Sequence, residues 1–107
     1  MKVFLTAQAH RDITAIRTYI AKSSQAVANK VVERLYDSAN KLAKNPRIGV
    51  ALSGKFGIET DLRMRIVSPN LILYKVIDDK IIVTRIIDER RDYLAVLGLA
   101  ESKDNYD

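Results

Sequence analysis

The sequence predicts an α+β fold in which an N-terminal helical hairpin packs on one face of a small, mainly antiparallel β-sheet. Three observations predict it. Two successive stretches before Asn45 carry apolar residues at helical spacing, a Gly-rich break follows, and Asp61 to Arg91 divides into three apolar runs rich in β-branched and aromatic residues. A chain of 107 residues, 48% of them hydrophobic, is long enough for one core and too short for two. Residues 1–98 are therefore read as one domain and 99–107 as a polar, flexible tail.

Lys2 to Leu5 is a short apolar run suited to an edge strand. Thr6 offers an N-cap hydroxyl, and Ala9, Ile13, Ile16 and Ile20 form the stripe of an amphipathic helix whose wet side holds His10, Arg11, Asp12, Arg17 and Lys22. Ser23-Ser24 breaks this helix and caps a second, where Ala28, Val31, Leu35, Ala39 and Leu42 track one face as far as Lys44. Asn45-Pro46 ends it, because the residue before a proline is pushed out of the α region. Two helices joined by so short a break make a hairpin whose apolar faces need a cover, and the sheet is the element available.

Arg47 to Thr60 holds Gly49, Gly54 and Gly57, shows no sustained period and reads as a connecting loop. In the sheet region Leu62, Met64 and Ile66 alternate with Arg63 and Arg65. The polar breaks Ser68-Pro69-Asn70 and Asp78-Asp79-Lys80 then bound a middle run, Leu71 to Ile77, that is apolar on both parities apart from Lys75, as a central strand should be. If Leu62, Met64 and Ile66 share the helix-covered face with Ile72, Tyr74, Val76, Ile82 and Ile86, then Arg63, Arg65, Lys75 and Arg85 fall together on the opposite face. Leu71, Leu73, Ile81 and Val83 would lie among them. Leu94, Val96 and Leu97 before Gly98 suit a last helical turn or two.

Several chemistries are excluded. Gly49 to Phe56 matches a P-loop up to its last position, but a helix precedes it and Phe56 stands where a magnesium-binding hydroxyl is required. With no Cys and His10 as the single imidazole, neither a zinc site nor a two-His carboxylate site can be assembled, and no metal or cofactor is expected. A Ser-His-Asp hydrolase is disfavoured because His10 lies on the polar side of a helix, away from any nucleophile elbow. Asp78 and Asp79 sit in a turn, where Asp serves local hydrogen bonds. No apolar run is long enough for a membrane span or a signal peptide, so the expected location is the cytoplasm, with no membrane partner.

A formal charge of +5 favours an anionic partner. Guanidinium groups on rigid strands grip phosphate or carboxylate oxygens, and arginines interleaved with exposed apolar residues mark a surface that another protein covers. On that reasoning the candidate contact residues are Arg63, Arg65, Leu73, Lys75, Val83, Arg85, Arg90 and Arg91.

The order of elements, together with Ala9-x-x-Asp12-Ile13-x-x-Ile16-x-x-Tyr19-Ile20-Ala21, Leu42-x-x-Asn45-Pro46-x-x-Gly49, Arg63 and Arg65, Leu73-Tyr74-Lys75-Val76, and Arg85-Ile86-Ile87-x-x-Arg90-Arg91-Asp92, resembles the ParE/RelE superfamily of bacterial toxins. The resemblance runs from Val3 to about Leu97. It implies a plasmid-stabilisation type toxin that arrests growth and pairs with a cognate antitoxin in a hetero-oligomer. Within the superfamily, the hairpin and the Asn45-Pro46-x-x-Gly49 boundary are more similar to the ParE-like branch, whose members poison DNA gyrase by binding; no catalytic residue is then named. The alternative is a RelE- or YoeB-like nuclease that cuts mRNA on the ribosome, for which Arg65 and Arg85 would serve the phosphate and Tyr93 would stack or donate a proton. Asp88 lies near where some nuclease members carry His. A third reading is a basic nucleic-acid binding module without toxicity.

Overall fold

Thr6 and Ser24 decide where the two long helices begin. The Thr6 hydroxyl accepts the Ala9 N–H at 3.1 Å and opens α1 (Ala7–Ala21), and the Ser24 hydroxyl accepts the Val27 N–H at 3.2 Å and opens α2 (Gln25–Asn40). The computed structural model describes residues 1–99, so the expected tail lies outside the described residues apart from Leu99. The backbone tightens into a 3₁₀ turn at Lys41–Ala43, which ends α2 slightly earlier than Asn45-Pro46 predicts.

Five strands form one mixed sheet: β1 (Lys2–Leu5), β2 (Val50–Ala51), β3 (Arg63–Val67), β4 (Asn70–Ile77) and β5 (Lys80–Asp88), in the spatial order β1-β5-β4-β3-β2. β1 runs parallel to β5 at one edge, and the other pairings are antiparallel. The α+β architecture with a helical hairpin over a small sheet is as the sequence predicts.

The distribution of side chains between the faces is not. Val67 pairs with Asn70 and Ile77 with Lys80, so each turn has two residues and not the three read from the polar breaks. One residue of slip moves a whole strand to the other face. Arg63 therefore pairs with Tyr74 and Arg65 with Ile72 on the helix side, while Met64 opposes Leu73 and Ile66 opposes Leu71 on the far side. In β5 the pairing jumps from Tyr74–Val83 to Leu73–Arg85, leaving Thr84 as the extra residue of a bulge. The bulge returns Ile86 to the helix side after Ile81 and Val83, and it leaves Arg85 on the far side with Lys75.

Two buried clusters result. On the helix side Ile13, Val32, Leu35 and Leu42 meet Ile72, Tyr74, Ile81, Val83 and Ile86. On the far side Leu52, Met64, Leu71, Leu73 and Ile87 lie beneath Phe56, Ile58, Tyr93, Val96, Leu97 and Leu99. The far-side cover comes from α3 (Leu52–Phe56) and α4 (Tyr93–Val96) with its flanks. The far face is thus closed at its centre and not bare. α3 lies in the segment read as loop; Gly57 ends it with a φ of 65°, the left-handed cap that favours glycine. Among the described residues no helix is long and apolar enough to cross a membrane.

Candidate partner-binding surfaces

The eight residues expected on one cationic surface do not come together. Leu73 and Val83 are fully buried, on the far-side and helix-side clusters respectively, and offer no contact surface. The two-residue turn before β5 puts Val83 on the helix side, whereas Leu73 keeps the expected face and is buried by the cover that α3 and α4 lay over it.

Arg63 is spent inside the molecule. Its Nε donates to the Gly49 carbonyl and its Nη2 to the Arg47 carbonyl, each at 3.1 Å. From the other side the buried Tyr74 hydroxyl donates to Pro46 O at 2.8 Å and accepts the Gly49 N–H at 2.9 Å. A Cβ on Gly49 would come within 2.7 Å of the Tyr74 ring, so glycine is the residue that lets the loop close over the tyrosine. Arg65, in contrast, lines a small open cleft with Ile48, Val50 and Ile66 beside the β2–β3 edge.

Lys75 and Arg85 do share a site. They line a far-side cleft of ≈ 350 Å³ with Leu62, Thr84, Val96 and Leu97. The Arg85 guanidinium is nonetheless committed to Asp12 of α1, through Nε at 2.9 Å and Nη2 at 3.2 Å. The same carboxylate accepts the Ile86 N–H at 2.9 Å and the Gln8 side-chain amide at 2.9 Å. Burial pushes the Asp12 carboxyl up, but the bonds from Arg85, Ile86 and Gln8 together outweigh it and hold the group below its ordinary value. The hydrogen bond to Asp12 holds Arg85 above its own ordinary value. Asp12 was expected on the wet side of α1. Its position between Ala9 and Ile13 was the available signal that it turns inward, and it is a structural residue that sequence reasoning missed.

Arg90 and Arg91 bound a further place, a groove of ≈ 520 Å³ between α1 and the end of β5. Its floor is Ile16, Ile20 and Pro69, and Tyr19, 75% exposed, stands on its rim. Arg90 leans on Asp88 at 2.6 Å yet keeps 81% of its side-chain exposure, so its charge still faces solvent. Bonds from the Arg90 guanidinium and backbone N–H pull the Asp88 carboxyl down to about 2. Apolar floor, exposed aromatic and mobile-length cationic side chains are the composition of a protein-binding groove.

Comparison with known proteins decides the family. The model of the ParE toxin of type II toxin-antitoxin systems, parDE, matches residues 3–93. The chain belongs to the ParE toxin family. Toxin RelE2 of Caulobacter vibrioides is 33% identical to it over 85 residues, which make up 79% of this chain and 91% of that protein. A solved structure described as the chromosomal ParDE TA system from P. aeruginosa shares the fold, with a TM-score of 0.68 at 20% identity over 82% of this chain and 95% of that one. The resemblance read from the sequence is confirmed at the level of the superfamily, and the protein is the toxin of a type II toxin-antitoxin pair. Membership of the family implies an antitoxin partner.

Proposed function

We propose that this ParE-family toxin arrests growth in the cytoplasm by binding and inhibiting DNA gyrase, and that a cognate antitoxin neutralises it within a hetero-oligomeric complex. The observation that carries the reading is the dispersal of the groups a nuclease would have to converge. Arg65 lines the β2–β3 cleft, Arg85 is tied to Asp12 at the edge of β5, and Tyr93 packs edge-on against Phe56 at 6.2 Å between ring centroids. General acid-base cleavage needs such groups within hydrogen-bond reach of one reacting phosphate. His10 contributes nothing to them, since its Nδ1 meets the Tyr36 hydroxyl at 3.2 Å on the outer surface of the helical hairpin. A groove floored by Ile16 and Ile20 and flanked by Arg90 and Arg91 supports recognition of a macromolecular surface instead.

The test is a pair of reactions with the purified toxin. In a gyrase supercoiling assay, relaxed plasmid should stay relaxed at toxin concentrations near that of the enzyme. In a translating extract, mapped mRNA ends should stay as they are in the untreated control. Cleaved message with unimpaired supercoiling would overturn the proposal in favour of the ribosome-dependent nuclease, and no effect in either reaction or on growth would favour the non-toxic nucleic-acid binder.

A further inference from the structure

Asp37 and Glu59 bound a stretch with no carboxylate, and it carries Lys41, Lys44, Arg47 and Lys55. The first three gather with Arg65 at the β2 end of the sheet. A 3₁₀ turn brings residues three apart into line, which sets Lys41 and Lys44 on one side of the chain. Lys44 and Arg47 line an open depression that ends at Ile48, and Ile48 is also a wall of the cleft that holds Arg65. Arg63 stands beside them, because its guanidinium caps the Arg47 and Gly49 carbonyls at 3.1 Å. Next to these cations Ile48 is 53% exposed, Val50 44% and Ile66 54%. Among the described residues the ion pairs are Asp12–Arg85 and Asp88–Arg90, so no carboxylate there neutralises this edge.

We infer that this edge, Lys41, Lys44, Arg47 and Arg65 set beside Ile48 and Ile66, binds the sugar-phosphate backbone of duplex DNA. A duplex carries one negative charge per about 1.7 Å of its axis, and cations that neutralise its phosphates gain affinity by releasing its counterions. Phosphates alternate with sugars along each strand, and aliphatic side chains beside guanidinium groups match that alternation. Other occupants fit less well. The Leu62 carbonyl accepts the Leu52 N–H at 3.1 Å, so by the alternation of antiparallel pairing Leu62, Met64 and Ile66 turn their backbone groups toward the β2 edge. Val50 pairs with Met64, which leaves Ile66 as the one such residue of β3 beyond β2, too little to register an added polypeptide strand. A partner helix packs on the face of a sheet and not on its edge. A second copy of the chain would set cation against cation. Among the described residues no aromatic side chain lines either depression, so the platform on which single strands stack is missing. The inference is separate from the gyrase proposal, because it concerns DNA alone.

The probe is a fluorescein-labelled DNA duplex of about 20 base pairs, titrated with the full-length toxin and followed by anisotropy between about 25 and 150 mM salt. Four phosphate contacts predict a slope of roughly −3.6 in log affinity against log salt. Lys44→Glu combined with Arg47→Glu should weaken binding about tenfold or more at the low end of that range and flatten the slope by about 2, with the melting temperature in place. Lys2→Glu combined with Lys80→Glu, an equal change of charge at the β1 end of the sheet, should stay within about threefold of wild type. A toxin that binds the duplex in this way but leaves supercoiling unimpaired would support the inference while sinking the gyrase proposal. Absence of binding at the lowest salt, an unchanged slope in the Lys44 and Arg47 variant, or equal loss in the Lys2 and Lys80 variant would each overturn it. So would tighter binding of polyglutamate, of single-stranded DNA or of an RNA duplex.

Discussion

The two faces of the sheet are closed by unlike means. On one side lie α1 and α2, of 15 and 16 residues, each with a side-chain N-cap and an apolar stripe. On the other lie helices of 5 and 4 residues, held by a few large side chains such as Phe56, Tyr93 and Leu97. Short helices have little stability of their own and depend on what they bury. The helix side is therefore the framework. The far side is a partial cover that leaves room for the Lys75–Arg85 cleft.

That contrast sets an order of expected effects. Leu35 is 2% exposed between the helical hairpin and the sheet, and Leu35→Ala should cost about 2–5 kcal/mol in denaturant unfolding, as large-to-small core changes do. Arg85→Glu should come next, at about 1–3 kcal/mol, because it sets a second carboxylate against Asp12 and strips a donor from a group whose side chain is 10% exposed. Loss of growth arrest in that variant would accompany lost stability and would not by itself mark a contact. Leu97→Ala, on the half-buried far cover, should cost about 1 kcal/mol or less by the same measurement. If it matched Leu35→Ala, the far cover would be as much framework as the hairpin.

Acid should show the smallest effect. The folded-state Asp12 carboxyl lies below its ordinary value of 3.8, so its contribution is complete above that pH and is lost as pH falls through the folded value. Below about pH 4 the unfolding midpoint of the wild-type chain should fall more steeply than that of Asp12→Asn. Parallel slopes would mean that Asp12 is not the clamp between α1 and β5.

Much of this was legible beforehand, and the misses have local causes. The caps Thr6 and Ser24, the helical stripes and the meander all follow from residue type and spacing. Side-chain facing does not, because Asn70 and Lys80 look like turn residues yet are the first residues of strands. Asp78, with a φ of 54°, takes the left-handed position that lets a two-residue turn close. The bulge at Thr84 has no local signature, since threonine is an ordinary strand residue. Two turn lengths were enough to scatter a cationic surface that spacing alone had assembled, while the bulge kept Arg85 on its expected face with Lys75. The turns moved Arg63 into a loop clamp and Val83 into the interior, and the far-side cover buried Leu73, while Arg90 and Arg91, beyond the last strand, kept their exposure.

The most direct trial of this division between structural and free arginines is growth of cells expressing the Arg90→Glu, Arg91→Glu double variant without antitoxin, alongside its melting temperature. The account predicts that growth continues while the melting temperature stays within about 2 °C of wild type, since exposed positions seldom move stability by more than about 0.5 kcal/mol. Full arrest by the folded double variant would contradict it, and would return the search for the contact surface to Lys75 and the far-side cleft.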